Sequence, residues 1–402
     1  MTRGEEMLAL RRARMARAPA ILRGGFRPFF FGCALWVVVA MTLWTASLAG
    51  GFALPTAMDP LAWHRHEMLF GFVGAAIAGF MLTAIPNWTG RLPIAGWPLA
   101  ALFGLWLAAR AAILFSATFG LAAAALLDVG FFAILAALAG REVLAAKNRN
   151  VPIIFLVLLL GTAAAADHAG AAGLLTDTEI GMRAAIALVV IMISLIGGRI
   201  VPSFTRNWMA KQNIKKGLPT QPGKYDLATI ALTGLAMAMW VALPDKRMSG
   251  LFLLAAALLQ AVRLARWHGA RSFADPLVLV LHIGYLWIPA GLVLLGASIL
   301  SGDVPRAAAI HALTAGAMGT MILAVMTRAS LGHTGRTLEA DLPTVFLYVL
   351  VTIGALLRVV AGLQWIDYAI GMEVAAFAWA GAFAVFLLAY GPILFKPRIG
   401  ET

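Results

Sequence analysis

WHRHEMLFGFVGAAIAGFMLTAIPNW, residues 63–88, is the stretch that decides how the rest of the chain is read. It opens on His64, His66 and Glu67 and then runs apolar for about the twenty residues an α-helix needs to cross hydrocarbon. Metal-ligand chemistry therefore stands at the mouth of a membrane helix. Gly71, Ala75 and Gly79 recur at a spacing of four, which lets a neighbouring backbone approach closely where lipid supplies no hydrophobic drive. A regular helix puts His64, Glu67 and Met68 on that same face, turned into a bundle and away from lipid. The plainer reading leaves His64 and Arg65 in the headgroup layer and Glu67 as a helix-start carboxylate.

Composition agrees with a membrane chain. Of 402 residues, 62% are hydrophobic and 12% charged, which excludes a soluble globule, whose apolar share is nearer half. The net charge of +13 would suggest nucleic acid in a soluble domain, but here Lys and Arg gather in short loops between apolar runs. That is topology, and no nucleic-acid partner is expected. The single cysteine, Cys33, excludes disulfides and thiolate clusters, so any metal must use His, Met or carboxylate. Residues 1–25 form a basic segment with Arg11, Arg12, Arg14 and Arg17. The apolar run after it has no small-residue cleavage site and reads as a retained first helix.

Apolar runs of spanning length fall at 28–50, 64–86, 94–115, 119–140, 151–171, 183–203, 226–243, 250–267, 276–300, 307–329, 342–363 and 372–395. The expected fold is all-α: a polytopic bundle of about twelve transmembrane helices over residues 26–398. The basic loop 206–224 would divide it into halves, 26–205 and 225–398. Lys and Arg are denser on the side that holds Arg91, Arg141, Lys147, the 206–224 loop, Arg263 to Arg271, Arg328 and Lys396, so both termini are expected in the cytoplasm.

Four stretches carry a resemblance: FRPFF at 26–30, HRHEMLFGF continuing into GFMLTAIPNWTGR, GGRIVPSFTRN at 197–207, and HALTAGAMGTMILAVMTRASLGHTGR at 311–336. Through them the chain resembles the NnrS family of bacterial membrane proteins. The resemblance implies a multi-pass protein of the bacterial inner membrane that binds haem, of b type, and copper. It also implies a role in nitric oxide metabolism and in resistance to nitrosative stress.

The residues offer ligands for such groups. His64, His66 and His311 lie at span ends on one side of the expected topology, and imidazoles there suit iron and copper, with Met68 a thioether for Cu(I). Residues two apart project about 200° apart on a helix, so His64 and His66 share one metal only if the helix starts after them. Glu67 would orient an imidazole or move protons. His282 sits two turns into the ninth run, and His333 lies at its own run's other end. Arg27 in FRPFF, with Arg199, Arg206, Arg328 and Arg336, would pair with haem propionates, or serve only as flanking charges. Arg110 and Arg358, near span ends, are expected to snorkel. His168 and His268 carry no assigned role, and the seventeen methionines, Met318 and Met321 among them, are read as packing.

The leading expectation is redox chemistry on nitric oxide at a His-ligated metal, with a quinol as one candidate electron donor; binding without turnover would need the same ligands. Whether the chain is an enzyme, a nitric oxide-transforming oxidoreductase, stays open at this stage. The alternatives are a secondary transporter, for which mid-span carboxylates are scarce apart from Asp128, and a non-catalytic sensor or assembly factor.

Overall fold

The computed structural model describes residues 17–400 and, among the first sixteen, positions 6, 9 and 13. Arg11, Arg12 and Arg14 of the basic segment lie outside the described residues. Among the described residues twelve helices are long and apolar enough to cross a membrane. They are α1 (Phe26–Leu48), α2 (Pro60–Thr89), α3 (Trp97–Leu114), α4 (Leu121–Ala145), α5 (Val151–Ala171), α6 (Ile180–Lys211), α7 (Lys224–Ala242), α8 (Arg247–Ala265), α9 (Pro276–Leu300), α10 (Arg306–His333), α11 (Leu342–Gly362) and α12 (Tyr368–Phe395). The chain is a multi-pass membrane protein.

Helix ends follow from capping chemistry. Asp59 accepts hydrogen bonds from the Leu61 and Ala62 amides, and Pro60 fills the first helical position, so α2 begins before its histidines. Gly90, at φ 67°, closes α2 in a left-handed turn that a Cβ would strain. Asp275 before Pro276 and Asp341 before Leu342 start α9 and α11 in the same way.

Two helices depart from α geometry, and these are the most buried of the twelve. The central apolar window of α2 is 78% buried and that of α10 is 67%. In α2, residues Glu67–Phe72 form a π-helical turn, with the Val73 amide donating to the Met68 carbonyl five residues back. In α10, Ala312–Gly319 do the same, directly after His311. Each wide turn loosens the carbonyl ladder, and each takes an indole donor from a neighbouring helix. Trp106 Nε1 donates to Gly71 O at 3.1 Å, and Trp379 Nε1 donates to Ala315 O at 3.0 Å.

By their contacts the residues form two compact units. The first takes the chain up to Met182 with Ala329–Thr337 and Leu387–Thr402. Its interior is an aromatic layer of Phe29, Phe70, Phe103, Trp106, Phe131 and Phe132, and α2 meets it through small residues. A Cβ on Gly79 would strike the Phe29 and Phe30 side chains of α1, and one on Gly74 would press on Phe132 of α4. The second unit comprises Arg183–Arg328 and Leu338–Phe386. Its α9 packs on α10 where Gly284 meets Met321 and Gly291 meets Leu313.

Candidate metal centre

The centre lies in the first unit, where α2, α3, α4 and α5 each contribute an ionisable side chain to a space closed off from solvent. Glu67, in the π turn of α2, accepts through Oε2 from Arg110 Nη1 of α3 at 2.8 Å and from Trp36 Nε1 of α1 at 2.6 Å. The second guanidinium nitrogen of Arg110 donates to Asp128 Oδ1 on α4. Arg110 is 1% exposed, and Glu67 and Asp128 are fully enclosed. Gly71, one turn beyond Glu67, leaves the space this pairing occupies, since a Cβ there would overlap the Glu67 carboxylate, Arg110 and the Trp36 indole. Glu67 Oε1 and Arg110 Nε are buried without hydrogen-bond partners.

His66 joins this pair to α5. Its Nδ1 donates to Asp167 Oδ2 at 2.8 Å, and its Nε2 faces the second oxygen of Asp128, Oδ2, at 3.1 Å. His168 sits beside them with its ring centroid 4.4 Å from that of His66 and its Nε2 3.4 Å from Asp128 Oδ2. Nε2 is thus within ion-pair reach of that oxygen but is not aligned for a hydrogen bond, and both ring nitrogens are buried without one, although the residue is only 3% exposed. Ligand atoms of His66, Asp128 and His168 all lie within 4.8 Å of one another. Glu67 and Asp128 pair with the one guanidinium and Asp167 adds a third carboxylate through His66, so a metal cation would bring positive charge to a site that is short of it. The donor set is two imidazoles and a carboxylate, which suits copper, zinc or iron rather than magnesium or calcium.

The other sequence-nominated residues fall elsewhere. Because α2 starts at Pro60, both second-helix histidines are helical and diverge as a regular helix demands. His64 stacks on Trp44, with centroids 4.6 Å apart and rings 15° from parallel. Met68 packs on the apolar cluster around Trp44, Trp63 and Ile113. In the second unit His282 Nε2 meets Thr205 Oγ1 at 2.8 Å, its Nδ1 buried and unpartnered, and His311 Nδ1 donates to Ala307 O at 2.7 Å. Arg206 donates to Pro219 O, Arg328 lies over the Phe204 ring and Arg199 is exposed, all in that unit. In the first unit Arg27 donates to Leu394 O and Lys396 O, His333 lies against the Phe26 ring, and Arg336 is half-buried with an unpartnered Nη1.

Two expectations are corrected. Arg110 does not snorkel: its guanidinium turns inward because two carboxylates wait there and it lies fourteen positions into α3, short of the helix end. His168, assigned no role from the sequence, is part of the cluster, next to Asp167. The signal for both was available, since an ionisable residue within an apolar span is costly unless it has a partner or a task.

The chain matches the family described as NnrS protein over residues 20–398, a range that takes in every residue of this cluster. The chain belongs to that family. NnrS membership supports a nitric-oxide-associated membrane protein, and within this member the buried His66–Asp128–His168 group could bind a metal. No curated protein matches the chain.

Proposed function

We propose that this protein acts in nitric oxide metabolism and in resistance to nitrosative stress in the bacterial inner membrane, with His66, Asp128 and His168 holding copper. The observation that supports the reading is His168: a buried imidazole neither of whose nitrogens makes a hydrogen bond, with Nε2 3.4 Å from an oxygen already shared with a second imidazole. Leaving a buried polar atom unsatisfied costs about 1–3 kcal/mol, a cost that a bound ion would remove.

The cluster fits a single ion and does not fit a haem. The His168 and Phe70 rings lie 4.4 and 4.8 Å from the His66 centroid, and carboxylates face both its nitrogens, so no porphyrin plane can approach. A haem, if bound, would be held by residues outside this cluster; His282 does not fit that part, because its Nδ1 is pressed against Gly269 and its Nε2 meets Thr205 Oγ1 at 2.8 Å.

When bound, copper supplies one-electron chemistry and a coordination position for nitric oxide. The chain's own residues prepare that position. Asp167 fixes the His66 tautomer by taking Nδ1–H, which turns Nε2 toward the ion. Arg110 engages Asp128 through Oδ1 alone and leaves Oδ2 turned to the imidazoles. Glu67, held on one oxygen and unpartnered on the other, is placed to carry a proton beside the cluster. Nitric oxide is small and neutral, so it reaches such a site through lipid without a polar channel, while electrons would come from a membrane donor such as a quinol.

Elemental analysis with optical and paramagnetic resonance spectra of the purified protein, with and without nitric oxide, tests this. Copper should be present in the parent and in His64→Ala, and absent from folded His66→Ala and His168→Ala. Copper retained in His168→Ala, or a folded, copper-supplemented parent without metal, overturns the assignment. The enclosed charges would then read as a proton relay of a transporter.

A further inference from the structure

In sequence and in shape, α10 repeats α2. PLAWHRHEMLFGFVGAAIAGFMLTAIPNWTGR, residues 60–91, aligns without a gap on PRAAAIHALTAGAMGTMILAVMTRASLGHTGR, residues 305–336. Eleven of the thirty-two positions are identical, and they pair His66 with His311, Gly71 with Gly316 and Gly74 with Gly319. In both helices the π turn begins directly after the histidine, and both stretches close on a left-handed glycine, Gly90 at φ 67° and Gly335 at φ 76°. The neighbouring helices repeat as well. Gly71 abuts Trp36 of α1 where Gly316 abuts Trp287 of α9, and Gly74 abuts Phe132 of α4 where Gly319 abuts Trp379 of α12. Pro98 and Pro343, each the second residue of its helix, put α3 and α11 in one register. The four-helix frame α1–α4 is thus present twice, the second time as α9–α12.

The two copies differ in charge. Ala312 follows His311 where Glu67 follows His66, and Ala355 stands as far beyond Pro343 as Arg110 stands beyond Pro98. On α12 the contact with Gly319 sets the register, so Ala375, one turn before Trp379, answers to Asp128, one turn before Phe132. The constant spacing along α2 and α10 would instead pair Asp128 with Glu373, but Glu373 is exposed whereas Ala375, like Asp128, is buried. Ala312 and Ala355 are buried too. Arg358 lies one turn beyond Ala355, beside Gly362, and does not occupy this position. His311 donates through Nδ1 to Ala307 O of its own helix, where His66 donates to a carboxylate.

We propose that Glu67, Arg110 and Asp128 are one functional unit that the frame itself does not need, and that the chain holds a single metal centre of this kind because the second copy lacks all three. Removing one of three mutually paired buried charges leaves the others uncompensated, so they are present or absent together. With alanine at all three positions, α9–α12 still pack, through glycines set against indoles. Charges enclosed in a membrane span that the fold does not require are kept for a task. Copper, the ion on whose assignment this rests, is expected at one per chain, with none at His311.

Two variants of the full chain test this. Glu67→Ala/Arg110→Ala/Asp128→Ala installs the second copy's residues in the first, and Glu67→Leu/Arg110→Met/Asp128→Leu removes the same charges while keeping more volume. At least one should insert and fold, read by protease protection and by a monodisperse profile in detergent, and should unfold at a higher temperature than Arg110→Met alone. Its copper should fall from one per chain to background, whereas His311→Ala should keep the parent's one per chain. Failure of both variants to fold, copper retained in a folded variant, or copper that falls by half in His311→Ala overturns the proposal. A copper-free parent overturns the metal assignment, and the folding comparison, which needs no metal, still decides whether the frame requires the charges.

Discussion

Arg110 and Glu67, forty-three residues apart in the chain, meet at 2.8 Å with both side chains shut away from solvent. The pair holds α3 to the π turn of α2, and Asp128 extends the link to α4. Removing the guanidinium strands two carboxylates. Arg110→Met should therefore destabilise the protein by about 3–5 kcal/mol, the usual cost of breaking a buried pair from one side. Denaturation in detergent would measure it, and Arg110→Met/Glu67→Leu/Asp128→Leu should recover part of the loss.

Asp167 touches the metal site only through His66. Asp167→Asn should weaken copper affinity by about 10–100-fold, the typical range for a carboxylate that orients a ligating imidazole. A competitive chelator titration would read this, and an unchanged copper dissociation constant would remove Asp167 from the arrangement.

The π turn sets the phase between His66 and the rest of α2. Deleting Met68, which is half-buried, should restore an α register and rotate the preceding residues by about 100° relative to Gly71 and beyond. Membrane insertion, read by protease protection, should survive the deletion, whereas copper content should fall to that of His66→Ala. Retained copper would mean that the wide turn has no part in aiming the imidazole.

In the second unit Arg263 donates to Asp226 at 2.7 Å and to the Tyr285 hydroxyl at 3.0 Å, and Tyr285 donates to Gln260 Oε1 at 2.7 Å. This closed network of buried groups ties α7, α8 and α9. Tyr285→Phe should cost about 1–3 kcal/mol, since Gln260 Oε1 loses its donor, and should leave copper content unchanged. Thermal unfolding paired with metal analysis separates the two effects.

The membrane bundle was legible in the sequence because each span is a continuous apolar run closed by Pro, Gly or charge, and the twelve runs each fall on one of the twelve helices, although α6 continues to Lys211, past its run at 203 and into the loop expected from 206. The small-residue stripe of α2 was legible for the same local reason. The cluster was legible only in part. His66 and Glu67 announced themselves beside a long apolar run, and Asp128 stood out as a mid-span carboxylate. Their partners did not, because Asp167 is 101 residues from His66 and nothing local tells that two helices will place them 2.8 Å apart. Arg110 was read as snorkelling because its place near a span end fits that habit, and only the carboxylates it meets decide against it. The π turns left no mark in a pattern read at 3.6 residues per turn. Yet the π turn of α2 sets how His66 is phased against Gly71 and the rest of that helix.

The enclosed charges also bear on how the chain is made. Glu67, Arg110, Asp128 and Asp167 belong to four successive helices, α2 to α5, which leave the ribosome one after another. Held alone in lipid, each helix would expose a charge that hydrocarbon tolerates poorly; held together, α2, α3 and α4 already cancel two of theirs. Biogenesis of this half is therefore a collective event, in which α2 waits at a protected interface until α3 and α4 arrive, and a translational pause after α4 would favour correct assembly more than one after α2.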